Sequence, residues 1–259
     1  MITIKLQLPL IPLICTILSS LSVCAGAATA LLERQDYNPK PNARPLYSES
    51  GGPNSRDIAN RPTKDPWETV LFVLSDALPG FFKSRINYDG KSDDGAKTVN
   101  QVTVMAWNND KHMHEEVVVS KDHIEGLDDE ADDVPWWPES LLESIRQSNP
   151  SRSPNINSLP IEQYMYLFTG RLTHSISTSG LNLIVGELEN QKQDNPAMVQ
   201  VEYESKGEKM IGRVTSHADG KLKLLNYQYE TIEFDEHTPD IKSYTLYMFD
   251  KHVTFPDES

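Results

Sequence analysis

The chain of 259 residues carries 38 acidic against 24 basic side chains, which gives a formal net charge of -14. This excess of negative charge repels phosphate backbones, and no basic stripe with interleaved aromatic residues offsets it, so nucleic-acid binding is disfavoured. The chain is long enough to bury a hydrophobic core without the help of disulfides.

The first 30 residues have the pattern of a secretory signal peptide. A single basic residue, Lys5, precedes an apolar stretch from Leu6 to Val23, and two A-x-A sites follow it. Because Pro9 and Pro12 interrupt the apolar stretch, a permanent membrane anchor is the weaker alternative. We therefore expect a secreted protein.

Cleavage of this leader changes the chemistry that the mature chain can carry. It removes Lys5, Cys15 and Cys24, which leaves 23 basic and 38 acidic residues and a net charge of -15. Without a thiol, the mature protein has no disulfide framework, thiolate metal site or cysteine nucleophile. A move from an oxidising to a reducing compartment would not affect it, which fits a protein that ends inside another cell.

The rest of the chain divides into an arm, a domain and a tail. Residues 31–64 are rich in Pro, Asn, Ser, Gly and Arg, which predicts a disordered polar arm without secondary structure. Residues 65–255 are predicted to form a single domain with a polar connector near residues 148–160. Residues 256–259 are predicted to form a tail. No further apolar stretch approaches the length of a membrane span, so no membrane contact is expected after signal removal.

Order is predicted to begin with a helix that starts at Pro66. Asp65 can cap this helix, and Glu68 lies where a capping box requires a carboxylate. Apolar residues recur at helical spacing from Trp67 to Phe81, so one broad face is expected in the core.

The remaining pattern is mostly that of strands. Alternation predicts strands over "TVNQVTVMAW" and "EEVVVS", followed by a short helix over "PESLLESIRQ". Later strands are predicted over "EQYMYLFTGRLTHSI", "LNLIVGELE", "AMVQVEYES", "EKMIGRVTS", "KLKLLNYQYETIEF" and "SYTLYMFDKHVTF", with hairpin turns at Gly207 and Gly220. The predicted fold class is α+β, with one or two helices packed on a mostly antiparallel meander sheet. A β-barrel of the small-ligand carrier type is the alternative.

The segment "EGLDDEADDVPWWPES", residues 125–140, combines dense negative charge with two adjacent tryptophans. It predicts a docking epitope, in which rigid indoles anchor in a basic-rimmed groove of a partner protein while the carboxylates orient it. The alternative is that both tryptophans fold onto the sheet and only the acids stay in water. The predicted partner-binding residues are Asp128, Asp129, Glu130, Asp132, Asp133, Trp136 and Trp137.

Metal and catalytic sites have less support in the sequence. An EF-hand loop that starts at Asp128 needs glycine at its sixth position, where this chain has Asp133. His112 and His114 would share one face of a strand, but a third ligand at suitable spacing is missing. Neither a nucleotide-binding loop nor a G-x-S-x-G nucleophile motif occurs. We predict no cofactor, no metal and no catalytic residue, and expect that the protein is not an enzyme.

A secretory leader followed by "ALLERQ", a proline-rich polar arm and an acidic domain resembles the organisation of secreted effector proteins of plant-colonising fungi such as the smuts. The resemblance covers the leader and the arm. It implies a virulence protein that enters the host space or host cells and there binds and redirects a host protein. Apoplastic effectors are often rich in cysteine and this mature chain has none, which favours the host cytoplasm.

The predicted function is thus that of a secreted, non-enzymatic protein that binds a host or extracellular protein. One alternative is a β-barrel carrier of a small apolar ligand, with Tyr164, Tyr227 and Tyr244 lining its cavity. A secreted hydrolase whose site has no familiar motif is the other alternative.

Overall fold

The computed structural model describes residues 44–48, 51–59, 61, 65–78, 80–88, 99–125, 127, 134–191, 200–205, 207–218, 220–235, 237–238 and 241–249. The predicted signal peptide and tail lie outside these residues. The α-helices of the described part are α1 Ser55–Ala59, α2 Pro66–Ala77, α3 Trp137–Ser148, α4 Ile161–Thr169 and α5 Leu181–Gln191. Its strands are β1 Ile86–Asn87, β2 Gln101–Asn108, β3 Met113–Ser120, β4 Thr173–Thr178, β5 Gln200–Ser205, β6 Glu208–Ala218, β7 Lys221–Asn226, β8 Thr231–Phe234 and β9 Ile241–Phe249. Short 3-10 helices span Lys83–Arg85, Lys121–His123 and Ser153–Ser158.

The strands form two antiparallel sheets. One contains β1, β2 and β3 in that order, and the other has the order β4-β9-β5-β6-β7-β8. Strands β5 to β8 form a meander whose first two turns include Gly207 and Gly220, as predicted. The prediction of an α+β fold with helices on a meander sheet is confirmed. The barrel alternative is wrong for the described strands, because β4 and β8 are the two edges of an open sheet.

The two helices predicted early in the chain are present as α2 and α3. At the start of α2, Glu68 Oε2 accepts the backbone N–H of Asp65 at 2.8 Å, which is the predicted capping contact. The apolar face from Trp67 to Leu74 is buried, as its spacing predicted. Helix α3 begins at Trp137, one residue before the expected Pro138, and contacts β2 and β3.

Two segments that were predicted as strands contain helices, although the end of the first segment is a strand. The stretch from residue 162 to 176 divides into α4, a left-handed Gly170 with φ of 70° and then β4, while residues 181–189 lie in α5. Both helices carry buried apolar residues at the i, i+3, i+4, i+7 spacing of one helical face. These residues are Ile161, Tyr164, Met165 and Phe168 in α4, and Leu181, Ile184, Val185 and Leu188 in α5.

The larger sheet separates two hydrophobic cores. Alternate residues of β9 point to opposite faces, so Tyr247 and Phe249 belong to the first core while Leu246 and Met248 belong to the second. Helices α1 to α4 and the three-stranded sheet supply most of the first core, and α5 covers the second. The larger sheet is therefore covered by helices on both faces.

The predicted disordered arm is wrong for the part of residues 31–64 that the structure describes. Leu46 and Ile58 have no exposed surface and Tyr47 is buried, and all three join the first core. Residues Ser55–Ala59 form α1, which packs against α2. The folded domain thus begins well before the predicted boundary at Asp65.

Candidate functional site

The structure places both tryptophans of the predicted docking surface in the core. Trp136 and Trp137 are each 0 % exposed, so neither indole can enter a groove of a partner in this conformation. Their backbone N–H groups donate to the carbonyl oxygens of Pro45 at 3.1 Å and Leu46 at 3.2 Å. The alternative in which the tryptophans pack inside is therefore correct. Asp128, Asp129, Glu130, Asp132 and Asp133 lie outside the described residues.

A buried arginine ties the N-terminal segment to the same region. Arg44 donates from Nε to the carbonyl oxygen of Val134 at 2.6 Å, from Nη1 to that of Leu127 at 3.0 Å and from Nη2 to that of Pro135 at 3.1 Å. Its Nη2 also lies 3.5 Å from a carboxylate oxygen of Glu139. The planar guanidinium suits this arrangement because its donors form a rigid fork. These contacts make the N-terminal segment part of the fold.

Asp57 accepts a hydrogen bond from Trp137 Nε1 at 2.7 Å and another from the Ser48 hydroxyl. Burial raises the pKa of Asp57 above its ordinary 3.8, although the hydrogen bonds from Ser48 and Trp137 oppose that shift. A raised folded-state pKa means that the stability from this group is fully present below the unfolded pKa and is lost as pH rises through the folded pKa.

Replacing Asp57 by asparagine removes this titration and keeps an oxygen that can accept from Trp137. We expect the free energy of unfolding of Asp57→Asn, relative to the unmodified protein, to rise as pH increases from about 4 towards neutrality. Urea unfolding at a series of pH values measures this difference. Glu233→Gln is the control of opposite sign, because the hydrogen bond from Lys221 holds the pKa of that exposed carboxyl below its ordinary value of 4.5. Its difference from the unmodified protein should fall as the pH increases towards 4.5 and stay flat at higher pH. A flat difference for Asp57→Asn would contradict the prediction.

The two histidines that were considered as metal ligands do not share a strand face. His112 lies in the turn before β3 with a left-handed φ of 52°, whereas His114 lies in β3 with its ring 5.0 Å from that of Trp107. Burial, together with the nearby Arg85 and Arg171, lowers the pKa of His114 to about 4, so it is neutral at pH 7. No group of three potential metal ligands occurs among the residues that the structure describes.

A cleft of about 460 Å³ lies between the helical layer and the first-core face of the larger sheet. Its helical wall comes from α2 and from the start of α4, and its floor comes from β5, β6, β9 and the turn after β7. The residues that line it are Pro66, Thr69, Leu159, Pro160, Ile161, Glu162, Glu202, Lys209, Ile211, Tyr227 and Tyr247. We refer to this space as the cleft.

The polar side chains of the cleft carry two carboxylates, one ammonium group, two phenols and the hydroxyl of Thr69, which donates to the carbonyl oxygen of Pro66 at 2.8 Å. Tyr247 donates to Glu202 Oε2 at 3.4 Å, and Lys209 Nζ lies 3.1 Å from Glu202 Oε1. Burial, with the carboxylates of Glu202 and Glu162 nearby, raises the pKa of Tyr247 well above its ordinary value. The phenol therefore keeps its proton and remains a hydrogen-bond donor at physiological pH.

Glu162 differs from Glu202 in its surroundings. In the part of the chain that the structure describes, Lys209 pairs with Glu202, and Glu162 has no ion pair. The Thr173 hydroxyl donates to the backbone carbonyl of Glu162 at 2.7 Å and so fixes the first turn of α4. The cleft thus presents one carboxylate that a cation from outside can neutralise.

No local pattern in the sequence indicates the cleft, because its lining comes from separate segments. In β5, Glu202 lies on the other face of the strand from the buried Val201 and Tyr203. The strand pattern alone does not indicate that α2 and α4 cover the face of the sheet that carries Glu202. The tyrosines predicted to line a barrel cavity are divided, because Tyr164 and Tyr244 lie in opposite cores and Tyr227 faces the cleft.

No protein-family model matches this chain, and no curated protein matches it at a significant level. None of the helices in the described ranges is both long and apolar enough to cross a membrane.

Proposed function

We propose that the protein is a secreted, non-catalytic binding protein that holds an extended segment of a partner protein in the cleft. The observation that carries this proposal is the open cleft between the sheet and helices α2 and α4. Its volume of about 460 Å³ falls within the range of pockets that bind small molecules or a few side chains. Secretion and action inside host cells remain predictions from the leader and the cysteine content.

The lining favours a peptide that carries both apolar and basic side chains. Ile161, Ile211 and Leu159 offer apolar contact, while the phenols of Tyr227 and Tyr247 supply rigid surface with polar tips. Such amphipathic aromatic residues are enriched where proteins bind other proteins. An apolar side chain of the ligand would therefore gain contact area on the floor of the cleft.

The charges of the cleft favour a lysine or arginine in the bound segment. Glu162 has a carboxylate without an ion pair among the described residues, and the chain as a whole carries a net charge of -14. A basic ligand would be attracted by the overall field and held near Glu162 beside an aromatic face. The same field would slow the approach of acidic segments.

The test uses positional-scanning libraries of short synthetic peptides, labelled for fluorescence anisotropy. We expect binding to favour libraries in which lysine or arginine is fixed next to an apolar residue. Glu162→Gln should weaken that binding about three- to tenfold, because it removes the charge that pairs with the basic side chain. Tyr227→Ala should weaken it by loss of contact area.

The matched control is Glu233→Gln, which removes the same charge from an exposed position of β8, away from the cleft. Peptide binding by this variant should equal that of the unmodified protein. Equal weakening by Glu162→Gln and Glu233→Gln would mean general attraction to an acidic protein, and the absence of binding to every library would refute the proposal.

A further inference from the structure

The strand β4 is an edge of the larger sheet with one side open to pairing. It pairs with β9 from Thr173↔Phe249 to Thr178↔Tyr244, and no described strand pairs with its other side. A strand of this kind presents a row of backbone N–H and C=O groups to any further strand. We call this outer side, with the residues at 172–179, the β4 edge.

The two edges of the larger sheet differ in how they are protected against strand addition. On β8, the opposite edge, Glu233 pairs with Lys221 at 2.7 Å and with Lys223 at 3.2 Å, so charged groups lie beside that edge. Charged side chains and proline are the usual protection of edge strands. The sequence of β4, "THSIST", contains no Lys, Arg, Asp, Glu or Pro. The residues of β4 itself therefore provide neither kind of protection.

Exposed apolar side chains cluster at the same place. Leu172 is 64 % exposed, Ile176 is 37 % exposed, and Leu183 in the adjoining α5 is 68 % exposed. They make up three of the six large exposed hydrophobic residues in the described part of the chain. Ile176 lies opposite Leu246 of the second core, so its side chain is on the face that carries α5. Burial of such a cluster would favour association.

The order of residues in β4 indicates which strand fits it. An antiparallel pairing centred on Ile176 sets Ile176 of one copy opposite Ile176 of the second copy and Ser175 opposite Ser177. His174 then lies opposite Thr178, and Thr173 opposite Ser179. Hydroxyl pairs and apolar pairs across strands are stabilising, and no charged side chain meets a like charge. The β4 edge is therefore complementary to itself.

The register also satisfies the geometry of a two-fold axis. The two residues of each pair in this register both have even numbers or both have odd numbers. Their side chains therefore lie on the same face of the combined sheet. Both Ile176 side chains and both α5 helices would share one face, with Leu183 of each copy beside the junction. Such an interface uses the same patch on both copies, as closed dimers do.

We propose that two copies of this chain dimerise through their β4 edges and form one continuous antiparallel sheet of twelve strands, six from each copy. The charge of -14 on each copy opposes this association, whereas the contacts at the edge are uncharged. Added salt screens the repulsion, so it should strengthen the dimer. The proposal is independent of the cleft and of any ligand.

Sedimentation velocity of the full chain over a wide range of concentration and salt tests this proposal. We expect a monomer–dimer equilibrium that shifts to dimer with concentration and with salt. Ile176→Lys should raise the dissociation constant of the dimer at least about tenfold, because it sets two positive charges opposite each other. Thr231→Lys adds the same charge at an exposed position of β8 and should leave the dissociation constant unchanged.

Hydrogen–deuterium exchange of the unmodified protein gives a readout that does not depend on a variant. Amides of residues 173–178 should exchange faster on dilution below the dissociation constant, while those of β8 should not change. A monomer at every concentration, β4 amides that exchange independently of concentration, or a dimer that survives Ile176→Lys in a folded protein would each overturn the proposal. Circular dichroism of each variant tests whether it is folded.

Discussion

Replacing Trp136 and Trp137 together by alanine should abolish the cooperative thermal unfolding of this protein. Both indoles are completely buried, and Trp137 packs 5.8 Å from the ring of Phe82. Each replacement removes a large buried ring and leaves a cavity, at a cost of about 3–5 kcal/mol. The pair would cost about as much as the whole stability of a domain, which is about 5–15 kcal/mol. Thermal melting followed by circular dichroism measures the effect.

Single variants separate the packing of the indoles from their hydrogen bonding. Trp137→Phe keeps most of the ring volume and loses the hydrogen bond from Nε1 to Asp57, so it should cost about 1–3 kcal/mol. Leu183→Ala, at a highly exposed position, should cost less than about 0.5 kcal/mol. A double alanine variant that still melts cooperatively near the temperature of the unmodified protein would show that the indoles are not part of the core.

The successes of the sequence interpretation rest on local signals. Helix α2 was predicted because Asp65, Pro66 and Glu68 mark its start and the apolar residues after them follow one helical face. The meander was predicted because alternation and glycine-containing turns specify hairpins within a few residues of each other. In these segments the local preference and the tertiary environment agree, so a short window of sequence was sufficient.

The two missed helices show where local signals conflict. Residues such as Tyr164 and Ile184 belong to types that favour strands, and this preference led to the wrong prediction. The helical spacing of the same apolar residues was also present in the sequence. The helical spacing prevailed, and both groups of residues fold as helices, because a helix buries all of these side chains on one face against the sheet. A strand would expose half of them, since alternate residues point to opposite faces.

The N-terminal segment shows a different limit of sequence interpretation. Its composition of proline, glycine and polar residues predicts disorder, and it contains few apolar residues to drive packing. Its order depends on pairing with residues far along the chain, such as the backbone bonds from Trp136 and Trp137 to Pro45 and Leu46. Neither composition nor periodicity indicates which distant segments will pair. The cleft was not predicted for the same reason, because its lining also comes from distant segments.

Replacing Arg44 by methionine should lower the free energy of unfolding by about 3–5 kcal/mol. Methionine fills part of the volume but donates no hydrogen bond, so the carbonyl oxygens of Leu127, Val134 and Pro135 lose their donor inside the protein. Each buried acceptor left without a partner costs about 1–3 kcal/mol. Arg44→Lys keeps the charge but cannot reach three carbonyl groups with a planar fork, so we expect a smaller but clear loss. Urea unfolding at pH 7 measures both variants.

The matched control is Arg56→Met in α1, where the arginine side chain is exposed. It removes the same charge from the same N-terminal segment, so it should change the free energy of unfolding by less than about 0.5 kcal/mol. Proteolysis adds a local readout, because Arg44→Met should make residues 44–61 the first to be cleaved if the guanidinium holds this segment on the domain. Equal stability and equal protease resistance for Arg44→Met and Arg56→Met would mean that the buried guanidinium does not anchor the segment.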